Sequence, residues 1–321
     1  MVDHLYPAPP WRWSERQALL RYWLRDPLQG LADWLPHQAM RALPTEAASA
    51  FGARMGLRAG RKRQVGSDRV RALLRQLRPE ASPAEVEALL AAHWSHVGRC
   101  FGEFAALSRF RAEGRIEVVG AEHVLGPRGG GQPLIVAGLH VGNWEVVHAG
   151  LAQLGIPFHA IYQRLPNRFR MRIADRARGR SRSAGVPQAA VAVAPTLGAV
   201  FEAHRVLESR EAALLYYVDE FWEGRVHAPS LGRPLRMDGN IMRAVRLASS
   251  TGAALVPAYA ERLGEAARFR LHFLPPVPIG PQGRGRAAVL EDIAALDRVV
   301  EGVVRAHPEQ WFMAHVFQPD R

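Results

Sequence analysis

The sequence predicts an α/β fold: a mixed, mostly parallel sheet flanked by helices, with an N-terminal helical segment in front of it. Three observations carry this. Through about residue 112, apolar side chains recur at helical spacing. From residue 113 onward, short apolar runs alternate with helical patterns, the texture of a sheet covered on both faces. The last two runs are joined across Leu263–Ala267 with Gly264 in the turn, which makes them a hairpin and the sheet mixed. The chain therefore divides into a helical region, residues 1–112, and an α/β region, residues 113–321.

In chain order, residues 14–35 come first. They carry Trp23, Leu24, Leu28, Leu31 and Trp34 at roughly helical spacing, with Arg16, Arg21 and Arg25 between them. Trp11, Trp13 and Tyr22 add to the same stretch. Such rings favour a membrane–water boundary, and a basic amphipathic helix can lie in that plane. Packing of the same face on the protein's own core is equally open. A second helix is expected from about Thr45 to Arg61, ending in the basic stretch RAGRKRQ. A third has Ser82 as its N-cap, Pro83 at the first helical position and Glu85 two residues on, a capping box. It runs through Trp94 and Phe101 to about Leu107.

Candidate strands follow at 115–119, 134–139, 158–163, 213–218, 254–263 and 268–274. Helical patterns lie between several of them, at 144–154, 197–207 and 241–250. Residues 126–133, GPRGGGQP, read as a loop. They lack the GK[ST] ending of a phosphate loop and receive no phosphate role.

At 48% hydrophobic and 22% charged, the composition is that of a globular protein and excludes wholesale disorder. No run of 18 apolar residues occurs, so no spanning helix is expected, and the N-terminus lacks the apolar core of a signal peptide. The single cysteine, Cys100, rules out an internal disulfide framework and sits in an apolar helical stretch, as a small core residue does. The net charge of +12 is nearly all arginine, with Lys62 the single lysine. An excess of this size points to an anionic partner: nucleic acid, a membrane surface, or phosphorylated or acidic substrates. Eight arginines fall between Arg164 and Arg182, suited to anionic headgroups or an acidic carrier protein, or simply to a solvated helix face. Aromatic residues are not interleaved with them as base stacking would need, so nucleic acid is not expected as a partner.

The most pointed stretch is GLHVGNWEVVHAG, residues 138–150. An apolar strand ends at His140, Gly142 permits a tight turn, and Asn143 is a good N-cap for a helix with Glu145 in its first turn. Ligands of open α/β sheets bind beyond the carboxyl ends of the strands, which is where His140 is delivered. Across such a junction the His and Glu side chains can meet. A carboxylate on one imidazole nitrogen fixes the tautomer, and the other nitrogen can then take a proton from a hydroxyl. That pair suits activation of an acceptor alcohol. On spacing alone, a strand-end His beside an unrelated Glu stays open. A metal reading is weaker: His140 and His148 are eight apart, and His93 and His96 have no acidic or thiol partners at ligand spacing. Asp219 ends another buried strand at the same edge, as a site residue or as a loop cap. Arg225 and Arg233, beside Gly224 and Gly232, are candidates for a defined phosphate contact.

The string His140-Val-Gly-Asn-Trp-Glu145 resembles the HX4(D/E) motif of glycerolipid acyltransferases, in the form found in bacterial lipid A biosynthesis (lauroyl/myristoyl) acyltransferases. Further blocks are similar to that family in order and spacing over roughly residues 20–320: IYQRLPN with Arg164, LLYYVDEFWEGRVHAPSLGRP, TGAALVPAYAER and HPEQWFMAHVF. Departures are Asp219-Glu220 for the family's Asp-Gln, Ser230-Leu231 for its double Phe, and His315-Val-Phe317 for its HRRF ending.

The resemblance implies transfer of an acyl chain from acyl carrier protein or coenzyme A to a hydroxyl of a lipid acceptor, a lipid A precursor or related glycolipid. His140 would be the base and Glu145 its orienter. Asn143, Arg164, Asp219, Arg225 and Arg233 would contact substrate. No metal or redox cofactor is called for. The helical region would seat the protein peripherally on the cytoplasmic face of the inner membrane. The departures leave the acceptor open to a lysophospholipid, an ornithine-type lipid or a polyene lipid, and leave open a silent membrane- or nucleic-acid-binding relative.

Overall fold

The computed structural model describes residues 13–162, 165, 167–181, 190–192, 197–283 and 285–319. Trp11, Arg164 and Arg182 lie outside the described residues.

The helical region opens with α1 (Trp13–Leu20), a π-helical turn (Arg21–Arg25) and α2 (Asp26–Ala42). Then come α3 (Thr45–Lys62), α4 (Gln64–Leu77) and α5 (Pro83–Phe104). The capping box forms as expected: Ser82 Oγ accepts from Glu85 N, and the Glu85 carboxylate accepts from Ser82 N. Helix α4 went unread in the sequence, yet Val70, Leu73, Leu74 and Leu77 give it a buried stripe. Helices α3 and α5 approach backbone to backbone: a Cβ on Gly56 would stand 2.0 Å from Trp94 O and 2.8 Å from Gly98 Cα. That contact fixes α5, which carries His96, Cys100 and Glu103 toward the sheet.

The α/β region runs β1 (Ile116–Val119), α6 (Glu122–Gly129), β2 (Leu134–Gly142), α7 (Glu145–Gln153), β3 (Phe158–Tyr162), α8 (Arg168–Ser181) and β4 (Ala190–Ala192). It continues with α9 (Leu197–Ser209), β5 (Ala213–Tyr217), the short strands β6 (Phe221–Trp222) and β7 (Arg225–Val226), α10 (Gly239–Thr251), β8 (Ala254–Arg262), β9 (Phe269–Phe273) and α11 (Arg286–Ala306). Residues 126–129 are the last turn of α6, not loop, because Pro127 sits within a helix that Glu122 starts.

The main sheet has the order β1-β9-β8-β2-β5-β3-β4. Every described pair is parallel except β8–β9, the expected hairpin. Strand β2 sits centrally and is buried on both faces, with Ile135, Ala137, Leu139 and Val141 in one core and Leu134 and Val136 in the other. Each of the Leu, Ile and Val side chains contributes roughly 1.5–3 kcal/mol on full burial. The first core also holds α4 and α5, so the N-terminal helices share it with the sheet.

Candidate active site

Strands β2 and β5 pair in parallel with Gly138 opposite Tyr217. Two residues further along each strand, that register sets His140 opposite Asp219. Asp219 is fully buried and accepts three hydrogen bonds: from His140 N at 2.8 Å, from His140 Nδ1 at 2.8 Å and from Trp311 Nε1 at 3.0 Å. A carboxylate can only accept, so Nδ1 carries the proton. In the neutral ring Nε2 then holds the lone pair, and it has no hydrogen-bond partner among the described residues. The ring lies against Tyr217, with centroids 4.5 Å apart, and near Trp144 and Phe312.

His140 lines a cavity of about 940 Å³. Its apolar wall includes Ile161, Ala203, Met242, Val245, Phe312 and Met313, drawn from β3, α9, α10 and the C-terminal segment. This combines a single basic nitrogen, fixed by a buried carboxylate, with a hydrophobic space large enough for a fatty chain.

The turn after His140 is held from behind. Gly142 has φ 64°, and a Cβ there would come within 1.5 Å of Ala260 O, so only glycine fits. His96 Nε2 donates to Gly142 O at 3.1 Å while its Nδ1 accepts from Arg262 Nε at 3.2 Å. Burial, and then the Arg262 charge, hold His96 neutral, well below its usual pKa. Cys100 also donates to Gly142 O, and burial pushes its thiol up to about 12, so it is inert packing. Asn143 is 1% exposed. Its Nδ2 donates to Glu103 Oε2 at 2.9 Å and its Oδ1 accepts from Glu145 N at 3.2 Å. The expected cap shifts by one residue: α7 starts at Glu145 with Trp144 as its N-cap, and Asn143 instead accepts from the first N–H of the helix while its side chain faces inward. Glu103 accepts two further bonds from Arg262, both at 2.6 Å, and one from Ser49 at 2.6 Å.

The expected contact between His140 and Glu145 is replaced. Glu145, at the first position of α7, faces α8 and accepts from Arg178 Nη2 at 2.7 Å and Nε at 3.0 Å. Burial opposes its ionisation, but Arg178 and His148 outweigh that and hold its carboxyl at about 2. The reason is geometric: the positive-φ turn at Gly142 rotates α7 so that its first residue points away from the β2–β5 edge. The carboxylate that reaches the imidazole comes from the neighbouring strand.

Arg225 and Arg233 are spent internally and do not line the cavity. Arg225 pairs with Asp238 at 2.6 Å. Arg233 donates to Ser230 O and Pro229 O, its guanidinium lies 4.4 Å from the Phe317 ring centroid, and burial lowers its pKa to about 10. The cavity instead presents Tyr216, Asn240, Arg243 and Arg246, which the sequence reading passed over, and Glu220, which it noted only as a departure from the family pattern. Their only signal was position: Tyr216 on β5 and Glu220 just after it flank Asp219, and Asn240, Arg243 and Arg246 lie on α10. Trp311 and Phe312 fall within the C-terminal block already marked by its likeness, where no role was assigned to them.

Among the described residues no group of three or more His, Cys, Asp or Glu side chains is arranged to hold a metal ion, and no helix is long and apolar enough to cross a membrane.

A family model for bacterial lipid A biosynthesis acyltransferases matches residues 17–316. No curated protein matches the sequence. Among solved structures, the 1-acyl-sn-glycerophosphate acyltransferase PlsC from Thermotoga maritima is similar at 12% identity, covering 75% of this chain and 96% of that chain, with a TM-score of 0.34.

Proposed function

The chain belongs to the bacterial lipid A biosynthesis acyltransferase family, and from that premise we propose that His140 is the general base of acyl transfer from a thioester to a hydroxyl of a lipid A precursor or related glycolipid. The observation that carries the reading is the His140–Asp219 pair at 2.8 Å, opening on the 940 Å³ cavity.

The acceptor hydroxyl gives its proton to Nε2 as its oxygen attacks the thioester carbonyl carbon. The new C–O bond forms, the C–S bond of the tetrahedral intermediate breaks, and the imidazolium returns the proton to the leaving thiolate. Asp219 holds the productive tautomer and supports the positive charge that His140 carries between these steps. Acyl carrier protein or coenzyme A supplies the thioester. Glu145 serves at one remove, keeping Arg178 against the start of α7.

The test is purified protein with acyl-carrier thioester and lipid A precursor, read by mass spectrometry for a gain of one acyl chain. His140→Ala should lower the rate at least ~100-fold, the lower range for a positioned base, with an unchanged fold. Transfer at the parent rate would end this reading.

The reading includes a peripheral seat on the cytoplasmic face of the inner membrane, and α2 with the turn before it supports membrane contact. Leu24, Leu28, Leu31 and Leu35 recur at helical spacing and are all exposed, with Trp23 and Trp34 beside them and Arg21 and Arg25 exposed nearby. An apolar stripe flanked by arginine suits insertion at an anionic interface. Leu24→Asp with Leu28→Asp should release the protein from anionic vesicles in a flotation assay. Unchanged flotation would place the membrane contact elsewhere.

A further inference from the structure

The arginine excess calls for an anion, and the described arginines near the site are mostly spent. On α8, Arg170 pairs with Asp33, Arg178 pairs with Glu145, and Arg168 lies over the Tyr22 ring. Arg225 and Arg233 are tied internally, as described above.

Arg243 and Arg246 differ. They stand three residues apart on α10, on one face, and both line the cavity that holds His140. Arg243 is half-buried. It donates to Asn240 Oδ1 at 2.9 Å, lies beside the Tyr216 hydroxyl, and forms no ion pair among the described residues. Arg246 is exposed at the cavity and makes no hydrogen bond or ion pair among the described residues. The nearby carboxyl, Glu220, does not neutralise them: burial raises its pKa to about 8, so it is mostly protonated at neutral pH. The other carboxyl of the lining, Asp292, accepts from Gly280 N and makes no ion pair with either arginine among the described residues, so two fixed cations face a largely apolar space with no carboxylate bound to them. A half-buried guanidinium in that position is costly unless a ligand supplies the anion. Its planar fork matches phosphate oxygens in pairs.

We infer that Arg243 and Arg246 form a phosphate subsite of the cavity, gripping a phosphate carried by one of the two substrates while the chain lies on the apolar wall. This rests on the cavity's being the lipid-chain site. The phosphate can belong to the lipid acceptor or to the phosphopantetheine arm of the donor.

Calorimetric titration of the whole protein with two matched probe pairs decides it. One pair is lysophosphatidate against monoacylglycerol of the same chain. The other is acyl-phosphopantetheine against acyl-pantetheine. The parent should prefer the phosphorylated member of at least one pair by roughly tenfold or more, the effect of a charged hydrogen bond. The preferring pair identifies the source. Arg246→Gln should cut that preference, and Arg243→Met with Arg246→Gln should abolish it, with the neutral member bound as before. Arg246 is exposed, so its single variant carries the test if Arg243→Met fails to fold. Neutral chains that bind while phosphate adds nothing, or a preference that survives Arg246→Gln and the double change, would overturn the subsite alone. Binding of none of the four probes would overturn the cavity reading and the subsite with it.

Discussion

Glu103 and Asp219 are both fully buried, and both grip the same six residues, His140 to Glu145. Behind the turn, Glu103 takes two bonds from Arg262, one from Ser49 and one from Asn143, and every partner is itself enclosed. In front, Asp219 takes two bonds from His140 and one from Trp311, but the imidazole keeps a second nitrogen that no described residue matches. The rear carboxylate belongs to a closed network that can only hold. The front one is the closed end of a chain whose other end is open to the cavity. Rigidity and reactivity are thus assigned to opposite faces of one turn.

The rear face is the place to break stability. Arg262→Met removes the cation and leaves Glu103 buried and unpaired, which should cost about 3–5 kcal/mol. Urea unfolding reads this directly. A variant as stable as the parent would show that Glu103 finds another partner and that the turn is not held from behind.

A smaller effect sharpens the contrast, because the residue after Asp219 is a carboxyl that nothing grips fully. Glu220 Oε1 accepts from Asn240 N at 2.7 Å, and Oε2 is buried with no hydrogen-bond partner among the described residues. Burial raises its pKa from 4.5 to about 8. The folded protein therefore holds a proton that the unfolded chain releases above 4.5, so stability falls as the pH rises from 4.5 to about 8 and levels off beyond. Glu220→Gln, which places the amide of the family pattern there, should remove that slope. Its melting temperature should exceed the parent's by an amount that grows across this window. A constant offset at every pH would mean that Glu220 ionises freely.

Much of this was legible in the sequence, for identifiable reasons. Strands declared themselves because β2, β5 and β8 are buried on both faces and carry nearly unbroken apolar runs. Helix α5 announced its start through Ser82, Pro83 and Glu85, whose cap is a local interaction. Helices α4 and α11 were overlooked, although each buries a stripe, because charged residues crowd the stripe in the chain. At the site, the strand that carries His140 and the turn at Gly142 were readable, though β2 runs two residues past His140 to Gly142 and the cap falls at Trp144, one residue after Asn143. The partner of His140 was not. Asp219 lies 79 residues away, and what joins them is the pairing of β2 with β5, which no single sequence states. The same holds for Arg262 behind Glu103, 159 residues apart, and for Trp311 above Asp219. Local chemistry is written in the order of residues, but the contacts that decide its use come from strand register.

The central claim is that His140 works with Asp219 as one unit, with Glu145 outside that unit. A double-mutant cycle on turnover tests it, with His140→Ala, Asp219→Asn and the two combined. Asp219→Asn keeps the volume but removes the charge and can present an N–H to the ring, so its rate should fall on the order of 10²–10⁴-fold. The combined variant should be little slower than His140→Ala alone, because groups that act together cannot be lost twice. Losses that multiply would contradict the pairing and return the orienting role to another carboxylate.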